Sequence, residues 1–334
     1  MALFRTKFLK FWMAVFFIAL IVFPFVSNYY FLSLANLIGI AIIGALGLNI
    51  LTGFAGQISL GHGAFIGVGA YTSALLVMRL HFPFWIAIIF AGFFTAIVGL
   101  IFGIPSLRVK GLYLAIATLA AQVIINFVMI HWSSLTKGTS GLPVNPPSLF
   151  GFVFDTDKKY YFLTMFFAVL ATTFAKNLQR SRVGRAFMAI RDNDLAAEII
   201  GINLYKYKLL AFFVSSFYAG VAGSLWAHYV TIITPEHFTL SVSVDYLAMI
   251  IIGGVGSVLG SIYGAIFMVL LPEILKLIAG ALSGIYPSIG NFVSAMRDVV
   301  FGLTIILFLI YEPDGLNHRW QMIKAYWKLW PFSY

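Results

Sequence analysis

Ten apolar runs, each close to the length that crosses a bilayer as a helix, leave this chain few architectures. A hydrocarbon core about 30 Å thick takes about 20 apolar residues per helix. Runs of that kind fall at 11–26, 31–51, 58–78, 83–104, 112–131, 160–175, 209–230, 244–256, 258–278 and 296–311. In lipid every backbone polar group must be satisfied within the protein, so the sequence predicts an all-α polytopic membrane protein of about ten spans. Composition agrees: 61% of the 334 residues are apolar, 34 are Phe, and only 10% are charged. A soluble domain carries nearer a quarter charged residues and has no means of covering so much apolar surface.

The net charge of +10 would suggest nucleic acid if it formed a stripe on a soluble domain. Here the basic residues lie mostly between apolar runs, so no nucleic-acid partner is expected. With the N-terminus inside, ten spans return the C-terminus to the same side. Fifteen of the 21 Lys and Arg residues then fall inside, leaving Arg79, Lys137, Lys158, Lys159, Lys276 and Arg297 outside or at outer helix ends. That asymmetry places both termini in the cytoplasm. Arg5, Lys7 and Lys10 before the run 11–26 give the outline of a signal peptide. No small-residue cleavage site follows, and the segment is read as a retained first helix.

Two connections are long. Residues 132–159, on the outer side, are rich in Gly, Pro, Ser and Thr; residues 176–208, on the inner side, carry seven basic residues beside Asp192, Asp194 and Glu198. The others are short, which makes 1–334 a single membrane domain. Within the inner connection, 192–201 reads as a short helix with Asp or Asn as its cap and Gly201 as its stop. Leu195, Ile199 and Ile200 recur at helical spacing. That face could enter a groove on a partner protein, or the helix could lie at the membrane interface with its basic flanks near lipid phosphates.

A second feature is the Gly-rich passage 47–70, in which Gly56 and Gly61 accompany Gln57, Ser59 and His62. Dense glycine permits close backbone approach or an unwound segment lining a cavity. Polar groups at such depth line a pathway or make interhelical hydrogen bonds. A third passage, Gly253, Gly254 and Gly256, admits a turn, a re-entrant bend or a mid-helix break. Leu259-Gly260 with Gly264-Ala265 weakly echoes Leu60-Gly61 with Gly63-Ala64, as expected of a transporter with two related halves.

Absences narrow the function. No Walker-type phosphate loop occurs, there is no cysteine, and no His, Asp or Glu cluster has metal-ligand spacing. Asp245, Glu273, Asp298 and Glu312 fall near predicted span ends, not at the midplane where ion-coupled carriers place carboxylates. No nucleophile or acid–base pair is recognisable, so the chain is not expected to be an enzyme by itself. Any energy for uphill transport then comes from another chain.

Three blocks carry a resemblance. They are 47–53 with 56–65, then 184–193 with Ala196-Ala197-Glu198 and Gly201-Ile202-Asn203, and then Ile252–Ser257 with Gly260 and Gly264. Together they resemble the branched-chain amino acid ABC permeases of the LivM type over roughly 35–312. The resemblance implies four kinds of partner: a homologous LivH-like permease, two cytoplasmic ATPases that bind ATP and Mg, an extracytoplasmic binding protein facing 132–159, and the lipid of a prokaryotic inner membrane. It implies no cofactor or metal on this chain. By the same likeness Arg191, Asp192, Asp194, Leu195, Ala197, Glu198 and Gly201 form the coupling segment that docks on an ATPase. Gly56, Gln57, Ser59, Gly61, His62, Gly253, Gly254 and Gly256 are the candidate translocation path. Relatives with such motifs import branched-chain or other amino acids, urea or short amides. The competing class is a self-sufficient channel or carrier, which leaves the amphipathic inner helix without a role.

Overall fold

A computed structural model describes residues 7–106, 111–149, 151–283 and 289–329. Arg5, Arg108 and Lys110, counted above among the inner charges, lie outside the described residues. The chain runs through α1 (Lys7–Val26), α2 (Tyr29–Leu48), a π-helical turn (Asn49–Phe54), α3 (His62–Leu80), α4 (Phe84–Ser106) and α5 (Leu112–His131). Next come a single turn, α6 (Ser133–Thr136), and short strands β1 (Leu142–Pro143), β2 (Ser148–Leu149) and β3 (Phe152–Val153). The remainder is α7 (Asp157–Arg180), α8 (Arg182–Asp192), α9 (Asp194–Ile199), α10 (Leu204–Val230), β4 (Ile232–Ile233), α11 (Leu240–Gly253), α12 (Val258–Ser283), α13 (Ile289–Tyr311) and α14 (Gly315–Leu329).

Among the described residues, 8 helices are long and apolar enough to cross a membrane, from Tyr29–Phe54 to Val258–Leu277. The chain is a multi-pass helical membrane protein. These 8 correspond to the second through ninth apolar runs; α1 and α13 occupy the first and tenth. The boundaries differ in places. Helix α3 starts at His62 and not at 58, because the Gly-rich stretch before it is not helical. Helix α7 extends past the run 160–175 at both ends, to Asp157 and Arg180. Lysine and arginine stems lie along a helix while their charges reach water, so the charged flanks continue it. The inner connection 176–208 is therefore largely helical: only short links separate α7, α8, α9 and α10.

Helix α10 is the packing axis, lying against α4, α3 and α2. Its buried face carries Ala211, Ser215, Ala219, Ala222 and Leu225. Lipid tails are as apolar as leucine, so small residues that let helices approach contribute more to association here than bulk does. Gly69 on α3 faces Gly220 on α10 so closely that a methyl at Gly69 would overlap the Gly220 backbone. Helix α4 shows the complementary division. Ala87, Ile88, Ala91 and Thr95 are buried, whereas Phe90, Phe93, Phe94, Ile97 and Ile101 are exposed as a surface for lipid chains.

At the end away from α8 and α9, β1 pairs antiparallel with β4 (Leu142 opposite Ile233), and β2 with β3. His228 ties this region to α10: its Nδ1 lies 2.7 Å from the Asn145 carbonyl and its Nε2 3.0 Å from Ser73 Oγ. At the opposite end α14 packs against α11 and α12. Arg319 hydrogen-bonds to Glu312 and holds that carboxyl below its usual range.

Candidate functional site

Helix α9 is defined by its caps. The Asn193 side chain accepts a hydrogen bond from Ala196 N at 3.0 Å, satisfying one of the orphan donors of the first turn. At the other end Ile202 N donates to Ala197 O (3.0 Å) and Gly201 N to Glu198 O (2.9 Å). That pair is a Schellman closure, which needs a residue of positive φ; Gly201 supplies it at φ 87°. The cap is thus Asn193, and Asp192 closes the preceding helix. Asp194 is held near Lys208 at 3.7 Å. Ala197 is the buried residue of α9, whereas Leu195, Ile199 and Ile200 are 63%, 86% and 74% exposed and Glu198 is exposed beside them. Replacing Asn193 with Ala is expected to cost about 1 kcal/mol of local stability. Hydrogen exchange at residues 196–199 should then run about fivefold faster, a loss confined to this turn.

Arg191, at the end of α8, links this segment to both Gly-rich passages. Its Nε and Nη2 donate to Asp192 Oδ1 at 2.9 and 2.8 Å, and its Nη1 donates to the Gly53 carbonyl at 3.0 Å. Gly56 takes a left-handed φ of 68°, and a Cβ there would be crowded, 3.0 Å from Arg191 Cγ. Gly256 (φ 80°) sits on the far side, where a Cβ would meet Arg191 Nη1 at 2.9 Å. Asn49, almost fully buried in the π-helical turn, completes the junction. Its Oδ1 accepts from Gly256 N at 2.8 Å and its Nδ2 donates to Ser257 O at 2.9 Å. The break between α2 and α3, the break between α11 and α12, and the α8–α9 segment therefore meet in one hydrogen-bonded knot.

From that knot, residues 55–61 continue as non-helical chain to the start of α3, which is buried among neighbouring helices. Helix N-termini leave N–H groups without intrahelical partners, and here α5 and α11 supply them. Thr118 Oγ1 accepts from Leu60 N (2.9 Å), Ser243 Oγ from Gly63 N (2.8 Å) and Gln122 Oε1 from Ala64 N (2.8 Å). Ser59 Oγ accepts from Gly61 N at 3.3 Å, and Gly61 packs against the Thr118 carbonyl. The His62 ring reaches the Gly44 carbonyl at 2.9 Å and stands edge-on to Tyr246. Gln57 differs: it is 3% exposed, and neither atom of its side-chain amide has a hydrogen-bond partner among the described residues.

The candidate path residues thus separate. Gly56 and Gly256 join Arg191 in the knot, and Gly253 and Gly254 adjoin it, packing against Gly260 and the Asp314 carbonyl. Ser59, Gly61 and His62 belong to the buried start of α3. Sequence reasoning missed Asn49, Thr118, Gln122 and Ser243 as parts of this arrangement. The available signal was Gln122, an amide in the middle of an apolar run, which the membrane interior tolerates only when satisfied.

Non-helical backbone inside a membrane bundle, sealed by protein, is the construction of transport proteins and not of simple anchors. The chain belongs to the family described as the branched-chain amino acid transport system permease component, whose pattern matches residues 30–309. It is 31% identical over 317 residues to the high-affinity branched-chain amino acid permease protein LivM of Escherichia coli K12, covering 88% of this chain and 71% of that protein. The E. coli K12 LivH permease is 26% identical over 306 residues, covering 84% and 92%. The autoinducer 2 import permease LsrC of Salmonella paratyphi B is 26% identical over 230 residues, covering 67% and 59%. No solved structure matches the chain.

Proposed function

We propose that this chain is one permease subunit of an ATP-driven importer of branched-chain or other apolar amino acids in a prokaryotic inner membrane. It spans the bilayer ten times, α1 and α13 included, with both termini and the α8–α9 segment in the cytoplasm. A homologous permease supplies the other half of the path, and two ATPases carrying ATP and Mg dock on the cytoplasmic side. An extracytoplasmic binding protein delivers substrate at the face carrying residues 132–159. The chain catalyses no reaction; hydrolysis occurs on the ATPases.

One observation carries the reading: α9 and the residue after it leave Leu195, Ile199 and Ile200 uncovered, at the segment whose Arg191 bonds one helix break at Gly53 and lies beside the other at Gly256. Large apolar side chains in such a cluster mark a docking face. Gly56, Gln57, Ser59, Gly61, His62, Gly253, Gly254 and Gly256 border the path, with the two breaks as its moving parts. Closure of the ATPase pair pushes α9, and α8 passes the displacement to the breaks.

The test is ATP-dependent uptake of radiolabelled leucine into proteoliposomes holding this chain, its permease partner, the ATPases and the binding protein. Uptake that requires all four components supports the reading, and urea should not compete. Uptake by this chain alone, without ATP, would assign it to the self-sufficient carriers. Changing Ile199 and Ile200 together to Asp should abolish ATPase co-purification while leaving membrane insertion intact.

A further inference from the structure

Between α2, α10, α11 and α12 lies a cavity of about 300 Å³, away from the knot and towards the opposite membrane face. It is at the lower end of the range for small-molecule sites, enough for a small metabolite. One wall is hydrocarbon and aromatic, from Leu34, Ile40, Trp226, Met249 and Met268. The remainder is charged: Asp245, Glu273 and Lys276 line the same space.

Those charges are the unexpected part. The sequence placed Asp245 near a span end, but the membrane-crossing stretch it belongs to is Pro235–Gly253, which puts it near mid-span. Glu273 and Lys276 lie near the end of the membrane-crossing stretch Val258–Leu277, as expected for Glu273 from the sequence. A carboxylate at mid-span is costly and faces a partner or a water-filled path. Glu273 is built in on two sides: Tyr30 Oη donates to its Oε2 at 2.6 Å, and Lys276 Nζ to its Oε1 at 2.6 Å. The carboxylate oxygens have more than one acceptor site each, and the Lys276 ammonium has three donors. The Lys276 side chain is 71% exposed and lines the open side of the cavity.

We propose that this cavity is a transit site for a zwitterionic apolar amino acid. The ligand's side chain lies against Leu34, Met249, Met268 and Trp226, its carboxylate meets Lys276, and its ammonium faces Asp245 and Glu273. Beneath it Tyr246, which also lines the cavity, stands against His62 and Gly44, closing the way to the buried start of α3. The inference rests on the importer reading for the direction of travel; the chemistry of the site rests on the cavity itself.

The test uses photo-leucine, the diazirine analogue of leucine, on the purified permease pair in nanodiscs, with mass spectrometry to place the cross-link. Labelling is expected on the peptides carrying 245–249 and 268–276. Excess leucine should suppress it, and neither isopentylamine nor 4-methylpentanoate, each lacking one charge, should do so at the same concentration. Lys276→Met is expected to cut labelling at least about tenfold, the loss of one charge-assisted contact, and Lys276→Arg to restore most of it. Absence of cross-links from these peptides, or equal suppression by the singly charged analogues, overturns the transit site. ATP-driven uptake in the complete system is a separate readout. Its failure with labelling intact would sink the importer reading and leave the site standing.

Discussion

Replacing Arg191 with alanine is expected to uncouple ATP hydrolysis from uptake without releasing the ATPases. The guanidinium joins the end of α8 to the Gly53 carbonyl and lies beside Gly256, and the arginine stem packs on Gly56. A hydrogen bond from a charged donor is worth about 1.5–3 kcal/mol. If that energy distinguishes the two states of the permease, its loss lowers coupled uptake about 10- to 100-fold. Leu195, Ile199 and Ile200 are untouched, so the ATPases should still co-purify and their basal hydrolysis should persist. Arg191→Lys keeps the charge but loses the planar fork that reaches Asp192 and Gly53 together, and should recover little. The measurement is the ratio of leucine imported to ATP hydrolysed. A ratio unchanged in R191A would show that α9 motion reaches the breaks by another route, and Asn49→Ala would be the next variant to compare.

The knot explains which parts of this molecule could be read from sequence. The spans were legible because run length and bilayer thickness suffice, with no knowledge of neighbours. The caps of α9 were legible for a similar reason: Asn193 and Gly201 act on backbone within three or four positions of themselves. Arg191 was placed in the coupling segment only by likeness, and nothing local shows that its nitrogen meets a carbonyl 138 residues earlier. Asn49 and Gly256 are 207 residues apart and were equally hidden. The Gly-rich passages advertised close approach but not what approached. Gly56 is small because an arginine stem lies on it, whereas Gly61 is small because a carbonyl does. The His62 ring is held by the Gly44 carbonyl, a partner 18 residues away and invisible to periodicity. Asp245 was misplaced because the apolar run begins only at 244, whereas the helix begins at Leu240 and the membrane-crossing stretch at Pro235.

Gly264→Leu is expected to impair assembly severely, since among the described glycines its added Cβ would meet backbone at the shortest distance. Helices α11 and α12 form a hairpin whose closest approach is backbone to backbone. A side chain at Gly264 would overlap the Met249 carbonyl, and one at Gly253 the Gly260 carbonyl. Neither carbonyl can step aside without breaking its own helix, so the helices must separate. Overpacking a tight core commonly costs about 1–3 kcal/mol, and here the obstacle is rigid backbone, so the cost falls at or above the top of that range. Separation would also displace Gly256 and Ser257 from Asn49, dismantling the knot on one side. The expected result is a sharply lower yield of monodisperse protein in mild detergent and a thermal midpoint several degrees below that of the parent. Gly302→Leu on α13 is the matched control, since a Cβ there has nothing within 4 Å. Equal losses from G264L and G302L would mean that leucine disturbs insertion generally. A loss confined to G264L would place the approach of α11 and α12 among the contacts that define the fold.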